Sequence, residues 1–208
     1  MLLTVLALVG TTLAAVFLIP QTISLVRSGN SVGVSPTWAA FGVVTNLAWV
    51  VYLFDAGLPT AAAAPAIATV CYVMVLKSLA RLTTSFLWSA TGLAYLFAMV
   101  AVGGVGGIAA LGVVLLVAPA LQLAPQVASV IREPLPSGPS PTTWSLAVLE
   151  AMTWGAYGLL AGDVPLVGYA IVTSAGSMVV LVRRLAPNLK VRSPLVQQRG
   201  SPSIGQAT

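Results

Sequence analysis

Glu150 is an acidic side chain set well inside a long apolar run, and no Lys or Arg is expected at its depth. An ionisable group buried in a membrane costs at least about 2.5 kcal/mol, so it faces the bundle interior or a water-filled cavity. Two roles suit it: a carboxyl group hydrogen-bonded to a neighbouring helix, or a site for a polar solute or a proton. Trp154 follows Glu150 by four residues, and Asn46 precedes Trp49 by three. Each pair therefore shares a helical face. Other chemistry is excluded by composition. The chain has no His and one Cys, Cys71, so it supplies neither a zinc cluster nor a Ser-His-Asp triad. No glycine-rich phosphate loop with its Lys follows a strand. The expectation is a protein that is not an enzyme and uses no metal or cofactor.

These residues sit in a duplicated frame. Pro20-Gln21 recurs as Pro125-Gln126, and matches at the same offset of 105 residues continue downstream. Ser24 pairs with Ser129, Arg27 with Arg132, and Ser35-Pro36-Thr37 with Ser140-Pro141-Thr142. Trp49, Tyr52 and Gly57 pair with Trp154, Tyr157 and Gly162. A constant offset across a helix, a loop and a second helix implies duplication. Thr45 stands opposite Glu150 and Asn46 opposite Ala151, so the copies diverge where the polar chemistry lies.

Hydrophobic residues make up 58% of the 208 residues and charged residues 6%, with a mean hydropathy of +1.01. A soluble domain carries roughly 25% charged residues, so lipid must cover most of this surface. Apolar runs long enough to cross a core of roughly 30 Å fall at 2–26, 36–54, 58–79, 84–102, 108–131, 142–161 and 164–185. The fold expected is all-α, with seven transmembrane helices. The segment at Thr12-Leu13-Ala14-Ala15 looks cleavable, but it has no basic residue before it and it leads into Pro20-Gln21; retention is expected. With the N-terminus outside, Arg27, Lys77, Arg81, Arg132, Arg183, Arg184, Lys190, Arg192 and Arg199 all fall on the cytoplasmic side, while Asp55 and Asp163 fall opposite. The net charge of +5 then belongs to a surface meeting anionic lipid, not to nucleic-acid recognition.

Arg27 and Arg132 share a side only if both halves point the same way, which requires an extra crossing between two three-helix units. The organisation expected is 3+1+3: a first repeat at 1–82, a linker helix at 83–105, a second repeat at 106–185, and a disordered cytoplasmic tail at 186–208. Pro20 and Pro125 remove helical hydrogen bonds; with Gln21 and Gln126 they form either static kinks or hinges. Trp49 and Trp154 lie inside their helices, where they serve as interfacial anchors or as a stacking clamp across the pseudo-two-fold axis. Trp38, Trp144 and Trp88 are expected in the interfacial belt.

The paired Pro-Gln, the Ser-Pro-Thr opening the second helix of each unit, and the Trp-x-x-Tyr near that helix's outer end resemble the SWEET and PQ-loop transporter family over roughly residues 2–185. The resemblance implies a transporter that moves a sugar without an obligatory coupling ion. It also implies an outer gate at Tyr52, Tyr157 and Asp163, hinges at the two Pro-Gln pairs, and a clamp formed by Trp49 and Trp154. The chain departs from the family where sugar-moving members place an Asn on the third helix: neither 60–65 nor 166–170 contains one. Asn46, Glu150, Tyr169, Thr173, Ser174 and Gln122 are the candidates to bond solute hydroxyls instead. The expected partners are a small solute, first of all a sugar, and membrane lipid, with a homo-oligomer open. The alternatives are a proton-coupled transporter of an amino-acid-like or cationic solute using Glu150, and a membrane receptor or scaffold of the same fold.

Overall fold

The computed structural model describes residues 1–82 and 86–186, and the regular elements among them are all α-helices. They are α1 (Leu2–Val16), α2 (Ile19–Ser28), α3 (Pro36–Asp55), α4 (Pro59–Ala80), α5 (Leu87–Arg132), α6 (Pro141–Ala161) and α7 (Val164–Leu185). The tail expected at 186–208 lies outside the described residues apart from Ala186, as does Thr84 at the expected start of the fourth run.

The helix starts follow from local chemistry. Ser35 accepts a hydrogen bond from the Trp38 N–H at 3.3 Å, and Ser140 accepts one from the Thr143 N–H at 3.4 Å. Asp163 caps α7 by accepting from the Leu166 N–H at 2.9 Å. A Ser or Asp cap followed by Pro satisfies one orphan donor and removes another. The duplicated Ser-Pro-Thr is therefore a helix-starting device. At the far end of α6, Gly162 closes the helix with φ 70°, a conformation that suits glycine.

Two boundaries differ from expectation. The first run divides at a turn over Phe17 and Leu18, just ahead of Pro20. The fourth and fifth runs are two helical segments of α5, 87–106 and 108–132, that meet at a kink where Gly107 leaves helical geometry (φ 71°, ψ −170°). The break expected between residues 102 and 108 falls at Gly107 alone, and residues 103–106 stay helical because a single glycine at positive φ suffices to redirect the chain.

Among the described residues, five helical stretches are long and apolar enough to cross a membrane: Leu2–Ser28, Pro36–Asp55, Pro59–Ala80, Leu87–Arg132 and Val164–Leu185. Helix α6 is not among them, because Thr142, Thr143, Ser145, Glu150 and Thr153 lower its hydropathy. Large apolar side chains such as Leu8, Phe54, Phe97 and Leu159 point outward and are exposed. An apolar exterior on spanning helices is that of an integral membrane protein.

Helix α4 packs on α1 and α3, and α7 packs in the same way on α5 and α6. The two sets meet through α1 on α6 and α3 on α5. Small residues permit these approaches. Helix α1 buries only Ala7, Gly10 and Ala14, and a Cβ on Gly10 would lie 2.7 Å from the Trp154 ring. Gly112 makes the equivalent space for Tyr52, and Gly42 for Tyr72.

Candidate solute-binding site

Two connected chambers open between the two sets of helices. The outer one, about 350 Å³ counting its share of open space, is lined by Asn46, Trp49, Glu150, Trp154 and Tyr169 among others. The inner one, about 560 Å³ on the same measure, reaches from Asn46, Trp49, Glu150 and Tyr169 towards Trp38 and Trp144. No Lys or Arg lines either chamber.

The polar centre is Glu150, 5% exposed. The Tyr169 hydroxyl donates to Glu150 Oε2 at 2.6 Å, and the Trp154 indole is a further hydrogen-bonding group against the carboxyl. Asn46 donates from Nδ2 to the Gly42 carbonyl at 2.8 Å, which leaves its Oδ1 for other work. Gln122 donates to the Tyr72 hydroxyl at 2.9 Å. Rings flank this centre: Trp49 meets Tyr52 and Tyr169 edge-on at 5.6 and 5.9 Å, and Trp154 meets Tyr157 at 5.4 Å. The chamber thus offers ring surfaces beside acceptor oxygens, the complement of a molecule with an apolar face and a hydroxyl edge.

Of the residues expected at the site, Trp49, Trp154, Asn46, Glu150 and Tyr169 line the outer chamber, and Thr173 and Gln122 line the inner one. Ser174 lies on a neighbouring face of α7 and lines neither. Ser177 lines the inner chamber in its place. The signal for it was helical spacing, because Tyr169, Thr173 and Ser177 recur every four residues on one face. Trp38 and Trp144 are not belt residues: they are 1% and 2% exposed and face each other with centroids 5.2 Å apart. The chain segments at 29–35 and 133–140 continue beyond these helix starts and pack on one another (the Gly138 N–H donates to the Val32 carbonyl at 2.9 Å), which keeps both indoles inside. Trp88 is half-buried at the start of α5.

Both ends of the chambers are tied. At one end the Tyr52 hydroxyl donates to Asp163 Oδ2 at 3.0 Å, linking α3 to the start of α7. Tyr157, the repeat mate of Tyr52, packs against Trp154 instead. At the other end lies a reciprocal clamp. Gln21 donates to the Gly138 carbonyl at 3.1 Å and accepts from the Ser140 N–H at 2.8 Å. Gln126 donates to the Gly33 carbonyl at 2.8 Å and accepts from the Ser35 N–H at 2.8 Å. Each Pro-Gln therefore holds the Ser-Pro-Thr helix start of the other copy. Nearby, Arg183 and Arg184 donate to the carbonyls of Glu133 and Pro139 at 3.2 and 3.1 Å.

Removing one hydroxyl tests the first tie. A hydrogen bond to a charged group contributes about 1.5 kcal/mol, roughly a tenfold change in an opening equilibrium. Tyr52→Phe is expected to speed labelling of Asn46→Cys by a membrane-impermeant thiol reagent about tenfold, in a Cys71→Ser background. An unchanged rate would show that this pair does not hold the end shut.

Compared with family models, curated proteins and solved structures, the chain matches none of them.

Proposed function

We propose that this chain is a transporter of a small polar solute, with a sugar as the first candidate, working by facilitated diffusion and alternating access and catalysing no reaction. In this reading the helices make seven crossings in a 3+1+3 order, with α5 crossing twice about Gly107 and α6 crossing because the bundle shields its polar face. The N-terminus is outside, the C-terminus is cytoplasmic, and the plasma membrane is the site. The single observation that supports it most is the chamber pair itself: a shielded, ring-flanked polar site between two similar halves, tied at both ends by bonds that join those halves. A site that must open to each side in turn needs such breakable ties. Pro20 and Pro125, beside the glutamines, are the proposed hinges.

The test is uptake of radiolabelled sugars into liposomes carrying the purified chain. Trp49→Ala and Trp154→Ala are each expected to reduce saturable uptake at least about tenfold, since a stacked ring contributes about 1–1.5 kcal/mol beyond its buried area. Uptake unaltered in both would remove the clamp from the mechanism.

A second reading is favoured by one observation, the buried Glu150 carboxyl with no Lys or Arg lining its chamber. Such a group suits a proton carrier or the counter-charge of a cationic solute. Uptake that depends strictly on an imposed pH gradient would support this reading over the first.

A further inference from the structure

The outer wall of the first half carries a crevice that belongs to neither chamber. It lies where α2 packs on α4 and is lined by Leu18, Ile19, Thr22, Ile23, Cys71 and Met74, with a volume of about 330 Å³ counting its share of open space. Leu18 is fully buried and forms the floor, while Ile19, Ile23 and Met74 stand exposed at the rim. The two polar side chains of the lining are turned to backbone. The Thr22 hydroxyl donates to the Leu18 carbonyl at 3.1 Å, and the Cys71 thiol donates to the Ala15 carbonyl at 3.7 Å. Neither has a free proton to give a polar solute. The wall belongs to two of the spanning stretches, Leu2–Ser28 and Pro59–Ala80, so hydrocarbon is what faces it.

Below the crevice the surface turns cationic. Helices α2 and α4 run in the same direction, because α3 returns the chain between them. Arg27 lies four residues beyond Ile23 on one face of α2. Lys77 and Arg81 lie three and seven residues beyond Met74 on α4. At roughly 1.5 Å per residue, these charges sit about 5–10 Å past the crevice along the helix axes. All three are exposed, and neither helix carries an Asp or Glu to neutralise them.

The repeat makes the crevice a property of one half. At the offset of 105, Gly176 stands opposite Cys71, and Ala124 and Ala128 stand opposite Ile19 and Ile23. There Leu123 seats on Gly176, where a Cβ would lie 2.8 Å from the leucine side chain, so the equivalent space is filled. Val182 and Ala186 stand in place of Lys77 and Arg81. Hollow and paired charges occur together in the first half and are missing together in the second, which points to one ligand that uses both.

We infer that the α2–α4 crevice is a binding site for an anionic phospholipid, with one acyl chain in the hollow and the phosphate held by Arg27, Lys77 and Arg81. Basic clusters beside spanning helices hold anionic headgroups, and an acyl chain supplies the packing contacts that a gap between helices lacks. The chain lies against Leu18, at the turn that separates α1 from α2. The site does not depend on the protein's being a transporter.

The test is native mass spectrometry of the full chain in detergent with equal amounts of dioleoyl phosphatidylglycerol and dioleoyl phosphatidylcholine. The wild type is expected to retain phosphatidylglycerol at least about tenfold over phosphatidylcholine, the effect of two or three neighbouring cations. Arg27→Gln, Lys77→Gln and Arg81→Gln together are expected to remove that preference. Cys71→Phe fills the hollow and leaves the charges; it is expected to lower retention of phosphatidylglycerol about tenfold, the loss of about two buried methylenes. Met74→Trp, a change at the exposed rim, is expected to do the same and serves if Cys71→Phe fails to fold. Retention untouched by the hollow-filling variant would show that the charges act alone, and would overturn the site. Equal retention of the two lipids by the wild type would overturn it as well, as would a dimer that keeps no lipid, the face then being an interface between copies.

Discussion

The double substitution Gln21→Leu and Gln126→Leu is expected to lower the melting temperature of the detergent-solubilised protein by at least about 10 °C. Both glutamines are buried, at 1% and 0% exposure, and each satisfies one backbone donor and one backbone acceptor of the opposite copy. Leucine fills a similar volume and satisfies neither. Four buried backbone groups then lose their partners, at about 1–3 kcal/mol each, so on the order of 4–12 kcal/mol is at stake. For a chain of this size each kcal/mol shifts the midpoint by roughly 2–4 °C. The two single substitutions should cost similar amounts, because the clamps are related by the repeat. Gln→Glu should fall between, since it keeps the acceptor and loses the donor. A melting curve left in place by the double variant would show that the segments at 29–35 and 133–140 hold without the glutamines.

Glu150 gives the second large effect, and the choice of replacement carries the information. Glu150→Leu is expected to cut uptake about a hundredfold, measured as initial rate in liposomes. It leaves the Tyr169 hydroxyl without its 2.6 Å acceptor and removes the acceptor proposed for a solute hydroxyl. Two such losses, at about 1–3 kcal/mol each, reach that factor. Glu150→Gln retains a side-chain carbonyl at the same reach and is expected to keep uptake within about tenfold of wild type. That outcome would count against a proton carrier, which needs an ionisable group. Abolished uptake in Glu150→Gln, with a strict need for a pH gradient in the wild type, would favour the proton-coupled reading instead.

The parts of the fold legible in the sequence are those written in local chemistry or in period. Ser35-Pro36 and Ser140-Pro141 announce their helices because capping involves residues three apart. The offset of 105 pairs residues by position, yet it carries no information about which pairs touch. Gln21 and Gln126 contact each other's copies rather than their own, and such crossed contacts do not appear in a self-comparison. Trp38 and Trp144 were misread because a tryptophan near a helix start resembles a boundary residue; only the folding of two distant segments over the helix ends puts them inside. Ser177 was missed beside Ser174 because two serines three residues apart on α7 look alike until the facing helices decide which of them is covered. Gly107 was one of several glycines in a stretch that could break anywhere, and propensity alone does not choose among them.

The two Pro-Gln copies sit on members of unequal stiffness. In the first half the helix is jointed, with α1 and α2 separated by a turn at Phe17 and Leu18. In the second half α5 runs through Pro119 and Pro125 without leaving helical geometry. A jointed strut and a continuous beam placed side by side do not share a bending load equally. Of the two proposed hinges, the one at Pro20 thus has a break in the helix beside it, whereas the one at Pro125 has only the missing proline N–H groups of α5 to act on.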